Sequence, residues 1–466
     1  MMKKQRIVFW LAILAGLLMF VFIAWAFSQH GTVGLYRVNG LFKLLFIILA
    51  VFGVGLISLA LLEIRLQSRQ PKRRALLLSI AVRAGTLAGI TIFVIAFFYI
   101  GMIPGPLRAG QSPQLLLEDG SGINGVPNIA ISFHTPKLTS NTVKWGISNS
   151  GSILNETKLS KQHVFALNDL QPDTGYWYQI NDGQKTYFTT PPASGKPLHF
   201  AVASDAHFGS TTSHSDLSLK MLKQIADPDN KYNLFFYLGD LVHHGFADTQ
   251  WETALQDMSL TTSTVPVKYA IGNHDTLLGG LQRWEAYCAP AGMALQSGTR
   301  LYQRIDVGKV HFLVIDLEWS AETFNAEQSK WLEQQLADIP QDDWTIVMGH
   351  GFYYASGSVV AGWKWYDNPE TINKLAPLFE KYNVDLVFSG HTHEAELLQK
   401  DGVTYVINGT FGGASEDNRT YVSPESVWYS NTDFAFVDVT INGSAADLIF
   451  RDPDGKEIKS IVLSKH

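Results

Sequence analysis

The sequence has only one cysteine, Cys288, in 466 residues. A single cysteine excludes an intramolecular disulfide and a cysteine-rich zinc module, and we interpret Cys288 as a small buried hydrophobe rather than a nucleophile. Low-complexity tracts and obvious repeats are also missing. The formal net charge of -6 gives no general attraction to polyanions, so we expect no nucleic acid binding. With 46% hydrophobic residues, the chain is long enough to form several domains.

The first hundred residues contain three long stretches without a charged residue, at 7–27, 44–62 and 84–103. Each has about the 20 residues that a transmembrane helix needs. Lysine and arginine cluster before the first stretch and between the second and third, so the positive-inside rule makes the N-terminus cytoplasmic. The sequence therefore predicts a membrane domain over 1–104, with the bilayer as a partner. The chain would be a multi-pass protein of the plasma (inner) membrane, and its catalytic part would be extracytoplasmic.

The first hydrophobic stretch has a second interpretation. Ala24-Trp25-Ala26 resembles the cleavage site of a secretory signal peptide. The apolar region of this stretch is longer than the usual 7 to 15 residues, which favours a retained helix. Cleavage would leave the side of the membrane on which the rest of the chain lies unchanged.

A linker and a small β domain follow. Residues 105–113 are rich in proline and glycine and lack a hydrophobic period, which is typical of a linker. Between 114 and 194, short alternating runs such as Ile129–Phe133 predict half-buried strands. The segment from Leu170 to Tyr178 resembles the tyrosine corner of fibronectin type III sandwiches. The region is similar to the N-terminal domain of purple acid phosphatases, and we interpret it as a spacer rather than a binding module.

Five short hydrophobic runs in the remaining chain each lead into a carboxylate, amide or imidazole group. These groups are Asp205-x-His207, Gly239-Asp240, Gly272-Asn273-His274-Asp275, Gly349-His350 and Gly390-His391-x-His393. The runs before them lack helical periodicity and suit strands that are buried on both faces. Side chains so far apart in sequence can meet only where such strands leave the sheet. Mixed oxygen and nitrogen ligands suit iron, manganese or zinc and suit calcium poorly. The pattern therefore predicts a site for two metal ions.

The ordered set of motifs resembles the calcineurin-like metallophosphoesterase superfamily. The resemblance implies an α/β fold over 195–466, a four-layer αββα sandwich with helices outside two sheets, preceded here by the three transmembrane helices and the fibronectin type III-like sandwich. It assigns one metal ion to Asp205, His207 and His393 and the other to Asn273, His350 and His391, with Asp240 bridging. Hydroxide bound by the ions would be the nucleophile. His274 would contact phosphate or protonate the leaving group, and Asp275 would accept the other ring proton of His274.

The sequence departs from purple acid phosphatases at two positions. His243 stands three residues after Asp240, where those enzymes have the tyrosine that binds ferric iron, and they lack the histidine that His207 supplies. A purple tyrosinate-iron centre is therefore not expected. His243, His244 and Tyr353 are candidates for lining the substrate pocket. The alternatives are exposed loop histidines and, for the aromatic segment after His350, ordinary packing.

These observations predict a membrane-anchored phosphoesterase with two metal ions that hydrolyses phosphate monoesters. The preference for monoesters comes only from the resemblance of the small β domain to purple acid phosphatases. A phosphodiesterase or pyrophosphatase acting on a lipid-linked or nucleotide substrate is a second enzymatic hypothesis. A third is a non-catalytic surface adhesion or sensor protein, which would have no chemical reason to keep the complete set of ligands.

Overall fold

A computed structural model describes residues 112–465, apart from 121, 123, 278, 361–362 and 415–418 and the side chains of 360 and 363. The first strands are β1 Gln114–Leu117, β2 Ile129–Thr139, β3 Thr142–Ile147, β4 Ser150–Asn155, β5 Ser160–Leu167, β6 Gly175–Ile180 and β7 Thr186–Thr189. The middle of the chain forms β8 Leu198–Ala203, α1 Ser215–Ala226, β9 Leu234–Leu238, α2 Asp248–Thr262, β10 Val267–Ala270, α3 Gly280–Cys288, β11 Gln303–Val307, β12 Val310–Val314, α4 Ala326–Asp338 and β13 Trp344–Met348. The last elements are β14 Val359–Val360, β15 Trp363–Lys364, α5 Pro369–Lys381, β16 Leu386–Ser389, β17 Ala395–Lys400, β18 Val403–Asn408, β19 Ser426–Ser430, β20 Phe436–Asn442, β21 Ala445–Arg451 and β22 Glu457–Ser464.

Two large sheets organise this part of the chain. Nine strands form one sheet in the order β22-β21-β20-β8-β9-β10-β1-β2-β5, and seven form the other in the order β11-β12-β13-β16-β18-β17-β19. Within them, β8, β9 and β10 run parallel, as do β12, β13, β16 and β18. The carboxyl ends of parallel strands lie at the same edge of a sheet, so each large sheet gathers the residues that follow its parallel strands.

Alternating side chains place the two sheets face to face, with helices on their outer surfaces. In β8, Phe200 and Val202 belong to the core between the sheets, whereas Ala201 and Ala203 belong to the core shared with α1 and α2. In the other sheet, Leu313 belongs to the outer core shared with α4 and α5. This alternation is the period of two that a pleated strand imposes. The described residues therefore form an αββα arrangement, and the predicted α/β fold is confirmed.

The small β domain is continuous with the larger fold. Its strands β4, β3, β6 and β7 form a separate sheet, but β1, β2 and β5 extend the nine-stranded sheet, in which β1 pairs with β10 at Leu116 and Val267. Phe188 of the small sheet belongs to the same hydrophobic core as Phe200. The Tyr176 hydroxyl accepts a hydrogen bond of 2.9 Å from the backbone N–H of Gln171, which is the predicted tyrosine-corner contact. The nine-stranded sheet and one hydrophobic core contain residues from both sides of position 194. The predicted domain boundary near 194 therefore stays a prediction.

The predicted fold class and localisation need a correction. Among residues 112–465, no helix is both long and apolar enough to cross a membrane, and the longest of them, α2, has 15 residues. A membrane-spanning helix needs about 20. The three predicted transmembrane helices, at 7–27, 44–62 and 84–103, lie outside the described residues. The fold class is therefore corrected, for the described residues, to the α/β sandwich with its small β extension, and the predicted transmembrane helices and multi-pass membrane localisation are not supported.

Packing around β1 gives a test of this shared architecture. We expect Leu116→Ala to lower the free energy of unfolding by about 2–5 kcal/mol, because Leu116 is 1% exposed and its loss leaves a cavity beneath α2 and α3. Leu138→Ala removes the same atoms from a side chain that is 61% exposed, and we expect a change within about 0.5 kcal/mol. Urea unfolding of both variants measures the difference. Equal effects would show that β1 does not contribute to the core.

Candidate metal centre

The predicted ligands all follow the carboxyl ends of parallel strands. Asp205 and His207 come after β8, Asp240 after β9, Asn273 after β10, His350 after β13, and His391 and His393 after β16. Four of them have positive φ, a region that residues other than glycine rarely adopt: Asp205 (64°), His207 (48°), Asp240 (51°) and His391 (69°). Such backbone strain persists only where the surrounding structure holds it, and it concentrates at functional sites.

Two glycines allow the strand ends to approach one another closely. A Cβ atom on Gly272 would lie 2.3 Å from Asp240 Oδ1, and one on Gly390 would lie 2.3 Å from Asp205 Oδ2. Neither position has room for a side chain without displacing a predicted ligand. The glycine that precedes Asn273 and the one that precedes His391 therefore serve the close backbone approach that the sequence predicts.

The first group of donor atoms consists of Asp205 Oδ1, His207 Nε2, His393 Nε2 and Asp240 Oδ2. His207 Nε2 lies 2.9 Å from His393 Nε2, 3.7 Å from Asp205 Oδ1 and 3.5 Å from Asp240 Oδ2. His393 Nε2 lies 3.6 Å from Asp205 Oδ1. Donors that each lie about 2.1 Å from one ion are separated by distances of this order. These four side chains can therefore share one metal ion.

A second group lies around the same Asp240 oxygen and combines Asn273, which follows β10 of the nine-stranded sheet, with His350 and His391, which follow strands of the seven-stranded sheet. His350 Nε2 lies 3.3 Å from Asp240 Oδ2 and 3.1 Å from Asn273 Oδ1. His391 Nδ1 lies 3.0 Å from Asn273 Oδ1 and 3.2 Å from His350 Nε2. The other oxygen of Asp240, Oδ1, accepts a hydrogen bond from the backbone N–H of His274 at 2.8 Å. Asp240 Oδ2 is thus the atom that belongs to both groups.

Hydrogen bonding around the donors fits bound metal ions. Asp205 Oδ1 is fully buried and has no hydrogen-bond partner among the described residues, which is costly for a carboxylate unless a cation binds it. His350 Nδ1 donates to the carbonyl oxygen of Leu238 at 2.8 Å, and His393 Nδ1 donates to that of Ala414 at 2.6 Å. Each of these bonds leaves Nε2 as the unprotonated donor. The residues predicted to hold the two ions thus come together, and the role of each as a metal ligand stays a prediction.

Electrostatics at the centre favour cations. Burial lowers the pKa of His207 to about 4 and that of His391 to about 3, so both rings stay neutral, as metal ligands must. Burial also acts to lower the pKa of His350, but the Asp240 and Asp205 carboxylates outweigh it and raise the pKa to about 10. For Asp240, burial acts to raise the pKa, and the surrounding histidines, His350 first, bring it well below its usual value. The carboxylates therefore attract positive charge at this position.

The structure places His274 at the edge of the first group but separates it from Asp275. The His274 Nδ1–H donates to the carbonyl oxygen of His243 at 2.7 Å. Asp275 is buried and accepts backbone N–H groups instead, from Leu241 and Val242 through Oδ1 and from Gly272 through Oδ2. The predicted contact from Asp275 to the His274 ring is thus corrected: a backbone carbonyl orients His274, and Asp275 holds the turn after β9.

The three predicted substrate-pocket residues have different surroundings. His243 and His244 are half-buried beside the first group, with ring centroids 4.4 Å apart. Tyr353 is 1% exposed and packs against Phe379 and Tyr405 in the outer core, so its assignment to the substrate pocket is corrected to a core role.

Sequence reasoning missed the aromatic ring that follows β12. The half-buried Trp319 packs on the ring of His391 at a centroid distance of 4.6 Å and on Trp365 at 4.9 Å. The predicted aromatic segment after His350 supplies Trp365, but no ligand motif follows β12, so nothing in the local pattern pointed to Trp319. The second metal group is therefore bordered by aromatic side chains from two separate loops.

The close approach at Gly390 gives a further prediction. In Gly390→Ala, the new methyl group would lie 2.1 Å from Ser204 Oγ and would press on Asp205, so we expect about 1–3 kcal/mol of destabilisation and a loss of bound metal. Gly175→Ala is the matched control, because a Cβ there meets nothing within 4 Å. Urea unfolding and metal analysis of the purified proteins measure both effects. Full metal content in Gly390→Ala would contradict the role given to this glycine.

Comparisons with known proteins agree with the geometry. Residues 198–395 match the family model for calcineurin-like phosphoesterase. Purple acid phosphatase 18 of Arabidopsis thaliana is 25% identical over 288 residues, which are 58% of this chain and 62% of that protein. The Fe(3+)-Zn(2+) purple acid phosphatase 12 of the same plant is 26% identical over 352 residues, covering 68% of this chain and 71% of that protein. Several other relatives carry names that call them probable inactive purple acid phosphatases.

A solved structure shows the same fold. A purple acid phosphatase from yellow lupin (Lupinus luteus) seeds matches with a TM-score of 0.63 and 19% identity, over 77% of this chain and 74% of that protein. The chain spans about three fifths of the length of the first relative above, namely 62%. These matches confirm the resemblance that the strand-end motifs predicted.

Proposed function

We propose that this chain is a hydrolase with two metal ions that acts on phosphate monoesters, because residues 198–395 match the family model for calcineurin-like phosphoesterase. The observation that carries the proposal is the position of Asp240 Oδ2, which lies 3.5 Å from His207 Nε2 in one donor group and 3.3 Å from His350 Nε2 in the other. One carboxylate oxygen shared by two donor groups would hold two ions at adjacent positions. Adjacent ions are the arrangement that phosphoester hydrolysis uses.

The ions would be held by Asp205, His207, Asp240, Asn273, His350, His391 and His393. When bound, they supply positive charge for the phosphate group and activate water. The hydrogen bonds to the carbonyl oxygens of Leu238 and Ala414 keep His350 and His393 in the orientation and tautomer for binding.

His274 is the residue placed to move a proton. Its Nδ1–H is committed to the His243 carbonyl, so Nε2 is the ring atom left for a substrate. A proton on Nε2 can pass to the leaving-group oxygen as the P–O bond breaks. Asp275 contributes indirectly, since its hydrogen bonds to Leu241 and Gly272 join the loops that carry Asp240 and Asn273. The preference for monoesters rests on the likeness to purple acid phosphatases.

An assay of the purified full chain tests the proposal. The metal-free protein is reloaded with manganese, iron or zinc and given p-nitrophenyl phosphate, bis-p-nitrophenyl phosphate and inorganic pyrophosphate. We expect the monoester to be hydrolysed fastest, and Asp205→Asn purified in the same way controls for contaminating phosphatases. Faster turnover of the diester or pyrophosphate would overturn the monoester preference. No turnover with any metal would favour a non-catalytic protein, which the names of some relatives also describe.

A further inference from the structure

His243 lies directly behind a predicted metal ligand. Its ring nitrogen Nδ1 is 3.2 Å from Nδ1 of His207, within hydrogen-bonding distance. The backbone holds both residues in register, because His243 N–H donates to the carbonyl oxygen of Phe208 at 3.2 Å and His207 N–H donates to that of Asp240 at 3.1 Å. The contact between the two rings is therefore built into the pairing of the loops that follow β8 and β9.

The protonation of the two rings follows from what surrounds His207. Its Nε2 faces the carboxylate oxygens of Asp205 and Asp240 and Nε2 of His393, so this nitrogen must be the one with the free lone pair when an ion is bound. A neutral imidazole then carries its proton on Nδ1. That proton is donated to Nδ1 of His243, which in turn carries its own proton on Nε2.

We infer that His243 is a positioning residue: it accepts the Nδ1–H of His207, which fixes the tautomer and ring orientation of that ligand. The inference rests on the proposed metal centre and is independent of the substrate. The carbonyl oxygen of His243 holds His274 in the same way, so a single residue orients a ligand of the first ion and the proton donor.

A competing possibility is that His243 is itself a ligand of a third ion. Nitrogen atoms of His207, His243 and His274 all lie within 4.8 Å of one another, which such an ion would require. However, His207 would then have to bind ions through both ring nitrogens, which a neutral imidazole cannot do. The hydrogen-bond role satisfies both rings without a further charge.

Amide substitutions separate these possibilities. In His243→Asn the amide oxygen lies near the position of Nδ1 and can accept from His207, whereas in His243→Gln the longer side chain carries its amide near the position of Nε2. We expect His243→Gln to weaken binding of one of the two ions by roughly 10- to 100-fold and His243→Asn to retain most of the affinity. His244→Gln is the control, because the ring of His244 has no hydrogen bond to a ligand among the described residues.

The readout is metal binding rather than activity. Titration of each metal-free full-length protein with Mn²⁺ and with Zn²⁺ gives affinity and stoichiometry, and thermal unfolding of the metal-free proteins shows whether each variant is folded. If His243→Gln is unfolded, His243→Phe replaces it, since it keeps the ring stacking on His274 without the acceptor. Unchanged affinity in His243→Gln, equal loss in His243→Asn, or three ions per wild-type chain would each overturn the inference. Wild-type protein that binds two ions without turnover would overturn only the proposed function.

Discussion

Asp240→Ala is expected to lose both metal ions and all measurable phosphatase activity. Asp240 Oδ2 is the one atom that both donor groups share, so its removal takes a ligand from each ion and a negative charge from between them. It also removes the acceptor of the His274 backbone N–H, which orients the loop after β10. Metal analysis and p-nitrophenyl phosphate turnover of the full chain measure the two losses together.

The control for this variant is another carboxylate outside the centre. Asp306 lies on β11 and is paired with Arg304 of the same strand and His311 of β12, so Asp306→Asn removes a charge of the same kind without touching a donor group. We expect it to keep full metal content. If Asp240→Ala also kept two ions per chain, the assignment of a bridging carboxylate would be refuted.

For His274→Ala we expect a different result, in which turnover falls by roughly 10²–10⁴ while metal content stays the same. The side chain of His274 donates its hydrogen bond to a carbonyl oxygen rather than to a donor atom of either group, so its loss leaves every predicted ligand in place. The fall should be larger for an alkyl phosphate than for p-nitrophenyl phosphate, because a poor leaving group depends more on a donated proton.

Two results would contradict this assignment. A loss of metal in proportion to the loss of rate would make His274 a ligand. An equal fall for alkyl and nitrophenyl esters would show that it contacts phosphate oxygen without protonating the leaving group. Both measurements are made on the purified full chain, as for Asp240→Ala, so the two roles can be compared directly.

Much of the centre could be predicted from local sequence. The predicted hydrophobic runs before Gly239-Asp240 and Gly349-His350 form β9 and β13, because continuous apolar runs with a glycine and a polar residue at their end leave little choice of structure. The donors after those strands meet because parallel strands deliver their carboxyl ends to one edge. The strand-end motifs therefore predicted which side chains become neighbours at this edge.

Details that depend on distant residues were not predictable in the same way. Asp275 stands next to His274 in sequence, but a turn directs the two side chains to different partners, and the His243 carbonyl takes the place expected for a carboxylate. Tyr353 is only three residues after the predicted ligand His350, yet its side chain packs in the outer core that α4 and α5 cover. The side chains of residues adjacent in sequence can point in different directions. A position next to a motif therefore does not assign a functional role to a residue.

By itself, the sequence determined the order and identity of the strand-end donors, and with them the kind of chemistry, because ligand type and buried strands are written in local residue patterns. Only the tertiary structure decided which atoms meet: the shared oxygen of Asp240, the His243 acceptor behind His207, and the pairing of β1 with β10. These contacts join segments far apart along the chain. Their geometry follows from how two sheets pack, a property that no local pattern contains.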